Sequence, residues 1–201
     1  MKHDPSKTSH YVDAGFYSKL IDDFTGWQTD AREQSDTRLR DSCRRFLEKE
    51  ARLLDQGRNS DWLGLYVPEC LYWVPASLDG GDPRREVAVS FDDRRRMEDR
   101  VFRLDTEHAW SQQPVSRTAR LVSNVSVYSS EEPDIFMARS NFLTTEFQAG
   151  DKRIYTGWYG HQFRRLDSEA ASGGGEEWQI LVKQVNLIDC DQNLRNPSII
   201  L

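Results

Sequence analysis

Asp105 and His108 stand three positions apart, and Tyr72, Tyr155, Tyr159 and His161 lie on strand-like stretches elsewhere in the chain. A carboxylate beside an imidazole, or a phenol beside a carboxylate, can take a proton from one substrate atom and return it to another. Brought together in one pocket, Asp105, His108 and Tyr155 would suit an isomerase or a dehydratase, or a pocket that binds a small molecule without turnover. The same side chains are ordinary on half-buried strands and loops, and spacing alone does not make them converge.

Other chemistries are poorly supported. The four histidines are His3, His10, His108 and His161, and the first two sit in a polar N-terminal stretch. There is no HExxH pair, and no Cys-x-His paired with Cys-x-x-His. His108 and His161 with Asp105 or Glu107 supply the ligand types of a facial iron triad, but their spacing does not group them. Gly80-Gly81-Asp82 and Gly173-Gly174-Gly175 are glycine-rich, yet neither follows the strand–loop–helix order that cradles phosphate. Both read as turns. No Gly-x-Ser-x-Gly elbow is present. Cys43 falls on the apolar stripe of a helix and reads as core, not nucleophile. Spacing thus supports no metal site, no cofactor site and no nucleophile in this chain, while the acid–base reading stays open.

Composition narrows the partners. Thirty-three acidic residues against 27 basic ones give a formal charge of −6, with a pI of about 5.3. That sign argues against binding nucleic acid or an anionic membrane. No apolar run is long enough to span a bilayer, and the opening "MKHDPSKTSHYVDAG" has no apolar signal core. Cys43, Cys70 and Cys190 are an odd count, widely spaced, and form no disulfide framework. A reducing cytoplasm is the expected setting.

Elements must position whatever site exists. Residues 1–36 read as a polar arm, broken by Phe16, Tyr17, Leu20, Ile21 and Phe24 at helical spacing. That patch suits a short helix docked on the domain or an arm reaching a neighbouring subunit. Residues 37–201 read as one domain. "TRLRDSCRRFLEKEARLLDQG" (37–57) carries Leu39, Cys43, Phe46, Leu47, Ala51 and Leu54 on one stripe, with Asp36 as N-cap and Gly57 as stop. A short helix or turn at "NSDWLGLYV", capped by Asn59 or Ser60, is expected to end at Pro68. "CLYWVPA" (70–76) and "EVAVSFD" (86–92) read as strands joined by a hairpin-type connection. A helix follows over 92–105 with Met97, Val101 and Leu104 on one face. After Pro114 come four long strands, "RTARLVSNVSVYSS", "DIFMARSNFLTTEFQAG", "KRIYTGWYGHQFRRLD" and "EWQILVKQVNLID", an antiparallel meander. Gly157 and Gly160 inside the third suggest a kink or bulge. Helices early and strands late make an α+β domain, a cone-like half-barrel of strongly curved, mainly antiparallel sheet wrapped by helices.

"HAWSQQPVSRTARLVSNV" (108–125) resembles the signature of the small, or β, subunit of aromatic-ring-hydroxylating dioxygenases, through Trp110, Ser111, Pro114, Ser116, Arg117, Arg120, Ser123, Asn124 and Val125. "YVPECLYWVPA" (66–76), "FDDRRRMEDRVFRL" (91–104) and the closing "NLRNPSIIL" are similar to further stretches of that family. The likeness covers about residues 37–201.

The resemblance implies a nuclear-transport-factor-2-like (SnoaL-like) cone and a structural role. It implies assembly with a large α subunit as an α3β3 hexamer, the β chains forming a trimer. The Rieske [2Fe–2S] centre and the mononuclear iron would then lie in the α subunit, fed with electrons from NAD(P)H through a reductase, in the catabolism of aromatic hydrocarbons. Under this reading Trp110 anchors its loop, Arg117 and Arg120 bind backbone or carboxylate partners, and Asn124 satisfies a bulge or an edge. A stand-alone isomerase, dehydratase or ligand-binding protein using Asp105, His108 and Tyr155 in the cone is the alternative.

Overall fold

The computed structural model describes residues 13–78, 80–106, 112–166 and 178–201. Its elements are α1 (Ala14–Phe24), α2 (Thr37–Asp55), α3 (Asn59–Leu63), β1 (Tyr66–Pro75), β2 (Ala88–Asp93), α4 (Arg94–Asp105), β3 (Arg117–Ser129), β4 (Ile135–Gln148), β5 (Asp151–Arg165) and β6 (Trp178–Leu187). The strands form one sheet in the order β2-β1-β6-β5-β4-β3. Strands β3 to β6 make the expected antiparallel meander, and β1 pairs antiparallel with β2. One pairing is not local: β1 runs parallel to β6, with Tyr72 opposite Lys183. That pairing joins the early hairpin to the late meander.

Local chemistry explains the boundaries. The Asp36 carboxylate accepts from the backbone N–H of Arg38 and of Leu39, capping α2. Gly57 then leaves the helix at φ +66°. The short helix α3 differs from the sequence expectation. Neither Asn59 nor Ser60 caps it; both side chains donate to Asp105 instead, at 3.2 Å each. Nor does Pro68 end it. The chain turns at Gly64, and Pro68 lies inside β1, where the pairing with β6 is interrupted between Tyr66 and Leu71. A residue without an N–H is tolerated in such an interval.

Strands β4 and β5 are linked by Ala149 and Gly150 alone, both at positive φ (+51° and +86°). This two-residue turn matches the twist of the flanking strands. No register shift falls at Gly157. A Cβ there would lie 1.9 Å from the Asn186 carbonyl oxygen, so glycine lets β6 pass close by, and the irregularity in β5 falls later, between Gln162 and Phe163.

The two faces of the sheet have different cores. Leu39, Cys43, Phe46, Leu47 and Leu54 of α2 pack against Phe142, Tyr159, Phe163 and Val185 on the inner face. On the outer face Leu20 of α1 packs on Leu71, Trp73 and Val182, and Trp27 packs on Tyr128 and Met137. Residues 32–34 then run along the edge of β3: Gln34 N–H donates to the Val127 carbonyl and Ser129 N–H to that of Arg32. Residues 13–36 thus dock on their own sheet.

Candidate functional site

The inner face is built in rows. Val127, Ala138, His161, Lys183 and Tyr72 are successive cross-strand partners from β3 to β1. Nearer the start of β3, Arg120, Thr144 and Tyr155 form another row. Alternation along each strand points these side chains toward α2.

Glu50, on the α2 stripe between Phe46 and Leu54, meets the first row. Its Oε1 accepts from Lys183 Nζ at 2.9 Å, Trp62 Nε1 at 3.0 Å and Tyr66 Oη at 3.2 Å. Its Oε2 lies 3.3 Å from His161 Nε2, a contact not aligned as a hydrogen bond and an ion pair only when the imidazole is protonated. Burial alone would push the Glu50 carboxyl up. The Lys183 ammonium and the nearby imidazole outweigh it and hold Glu50 well below the usual carboxylate range. Burial lowers His161 against the pull of Glu50, so the imidazole is neutral near pH 7. The ring stacks on Phe163 with centroids 5.0 Å apart, and Lys183 Nζ sits 4.3 Å from the Tyr159 ring centroid. These side chains are 3% exposed or less, so the cluster ties α2 to β5 and β6 and offers no group to a solute. Sequence reasoning passed over Glu50 and Lys183. The signal was present: a carboxylate on an apolar helical stripe, and an ammonium at an inward strand position.

A second network closes the opposite end. Glu146 accepts from Ser116 Oγ at 2.6 Å, Tyr155 Oη at 2.9 Å, Arg153 Nη1 at 3.4 Å and the Asn196 side chain. Burial raises the Glu146 carboxyl, but these donors and the Arg153 charge bring it below its ordinary value. Tyr155 is pushed up to about 12 by burial and by the Glu146 carboxylate. From Asn196 the chain turns into the cone. Ile199, Ile200 and Leu201 are buried, and Tyr72 Oη accepts from Leu201 N–H at 3.0 Å. A cavity of about 370 Å³ remains at the mouth, with Leu104, Asp105, Pro114, Thr118, Arg120 and Ile200 in its wall.

The sequence-predicted residues scatter across this architecture. Asp105 ends α4 and accepts from Asn59 and Ser60 on the cavity rim. Tyr155 belongs to the Glu146 network. The two therefore sit in separate hydrogen-bond networks. His108 and Trp110 lie outside the described residues. The Arg120 side chain is buried and ties β3 to two other segments: its guanidinium donates to Asp55 of α2, to the Ile200 carbonyl and, within its own strand, to Thr118 at 2.8 Å. Arg117, expected to bind backbone or carboxylate, is exposed and lies over the Phe147 ring, 4.8 Å from its centroid. Asn124 has φ +53° where two residues of β3, Asn124 and Val125, face the single Ser140 of β4. Among the described residues, no group of three or more His, Cys, Asp or Glu could hold a metal ion. No described helix is long and apolar enough to cross a membrane.

The profile of the ring-hydroxylating β-subunit family matches residues 49–192. The chain belongs to that family. This β subunit is 34% identical over 147 residues to the benzoate 1,2-dioxygenase β subunit of Acinetobacter baylyi, covering 71% of the chain and 82% of the relative. Its fold is similar to a chain of a naphthalene 1,2-dioxygenase solved with indole in the active site, at TM-score 0.68 and 19% identity, over 94% of this chain and 95% of that one. It is also similar to a putative scytalone dehydratase from Novosphingobium aromaticivorans, at TM-score 0.52 and 14% identity, over 77% and 88% of the two chains. The nuclear-transport-factor-2-like cone is thus the observed architecture. Shared fold alone would not separate a β subunit from a dehydratase; the family match does. The chain is a subunit of an aromatic-ring-hydroxylating dioxygenase, an oxidoreductase, and its partner is the α subunit.

Proposed function

We propose that this chain supports and assembles the α subunit of its dioxygenase as the β component of an α3β3 hexamer, the β chains forming the trimer. The Rieske [2Fe–2S] centre and the mononuclear iron reside in the α subunit, electrons come from NAD(P)H through a reductase, and the complex works in the cytoplasm on an aromatic ring. The observation that carries this reading is the filling of the cone. Ile199, Ile200 and Leu201 pack where a pocket would open, and the inner carboxylates Glu50 and Glu146 are committed to neighbouring side chains. Such an interior supports a shape and leaves the chemistry to the other subunit.

The α subunit should be expressed with and without this chain. The expected result is soluble, active hexamer only in coexpression. An α subunit that assembles, stays soluble and turns over normally alone would overturn the proposal.

A further inference from the structure

Beyond the cone, the sign of the surface changes locally. A groove of about 890 Å³ lies between the first turns of α2 and the bulge of β3, and Arg38, Arg40, Arg44, Arg45 and Arg165 line it. Among the described residues, two acidic ones share that lining, Asp36 and Asp41. Both are occupied. Asp36 caps α2, and Asp41 pairs with Arg44 at 2.7 Å and with Arg45 at 3.3 Å. Arg44 also pairs with Glu48. Arg38 and Arg40 are exposed and form no ion pair among the described residues. Five arginines thus gather in one groove of a chain whose formal charge is −6.

We propose that this groove receives an extended acidic segment of the α subunit. The proposal rests on the β-subunit reading above. Charge complementarity favours such an occupant over nucleic acid or an anionic membrane, which the rest of the acidic chain repels. A volume of about 890 Å³ favours a segment over a small anion. An exposed arginine holds a lone anion weakly, whereas several contacts from one segment act together.

The test is retention of this chain on a tagged, coexpressed α subunit, washed at low and high NaCl. The variants are Arg38→Gln/Arg40→Gln and Arg38→Glu/Arg40→Glu. Wild-type retention should fall with salt and with added polyglutamate. Both variants should be retained on the order of tenfold less at low salt, while the unfolding midpoint of each isolated chain matches wild type. Equal retention of variant and wild type overturns the groove assignment. So does a variant whose isolated chain changes in mass or stability, because the groove would then cover a second copy or the chain's own residues. Wild-type chain that is not retained at all overturns the supporting role as well, which tells the two failures apart.

Discussion

Glu50 Oε1 and Lys183 Nζ lie 2.9 Å apart inside the cone, although 133 positions separate them in the chain. Removing one partner of a buried pair strands the other charge, at about 3–5 kcal/mol. Lys183→Met should lower the free energy of unfolding by that order in a urea titration. Glu50→Gln should lose less, because its amide oxygen still accepts from Trp62 and Tyr66. The double variant should fall short of the sum by about 1 kcal/mol or more. Additive losses would show that the two side chains are not coupled.

His161 predicts how stability responds to acid. Burial lowers its folded-state pKa below the ordinary 6.5 of an imidazole, while Glu50, Lys183, Tyr159 and Phe163 surround the ring. The unfolded chain therefore binds this proton first as pH falls. Its contribution is complete above 6.5 and is lost as pH drops toward the folded value. Glu50, held low, loses its contribution only in stronger acid. Unfolding free energy should thus already decline between pH 6.5 and 5.5, and His161→Phe should flatten that interval. An unchanged slope in the variant would contradict the assignment.

Arg120 and Arg117 should behave differently despite sharing a strand. Arg120→Ala removes the tie between α2, β3 and Ile200, and should cost about 3 kcal/mol. Arg117→Ala loses only an exposed contact with Phe147, worth about 0.5–1 kcal/mol. Thermal melts of the two variants compare them directly, and a larger shift for Arg117→Ala would refute the ranking.

Among the described residues, two sit in the left-handed region without being glycine, Asn124 and Ala149. Ala149→Gly or Ala149→Asn should raise stability by up to about 1 kcal/mol, because side chains with a plain Cβ resist that conformation. Asn124→Val should lower it by about 1–2 kcal/mol. Guanidinium titrations give both signs.

Sequence legibility followed the distance over which each pattern acts. The α2 stripe, its Asp36 cap and Gly57 stop, and the meander were readable because each rests on neighbours a few residues away. The start of α3 at Asn59 was readable, but its cap and its end were misread, because Asn59 and Ser60 bind Asp105 and Pro68 belongs to β1. The parallel pairing of Tyr72 with Lys183 was not readable, since nothing local to either strand encodes it. The partners of Arg120 and Tyr72 were hidden for the same reason: Asp55 and Leu201 reach them only after folding. Glu50 shows the converse case, a residue whose oddity on its stripe was legible while its partners were not.

The edge of β3 has a consequence for the chain in isolation. A thirteen-residue outer strand is long enough to template another strand. Here the Val127 carbonyl and the Ser129 N–H are taken by residues 32–34, the Arg120 N–H is taken by Asp55, and Asn124 breaks the ladder between them. No long regular run of that edge is left for a second sheet to extend. That edge is thereby closed to sheet-to-sheet polymerisation while the β subunit waits for its partner.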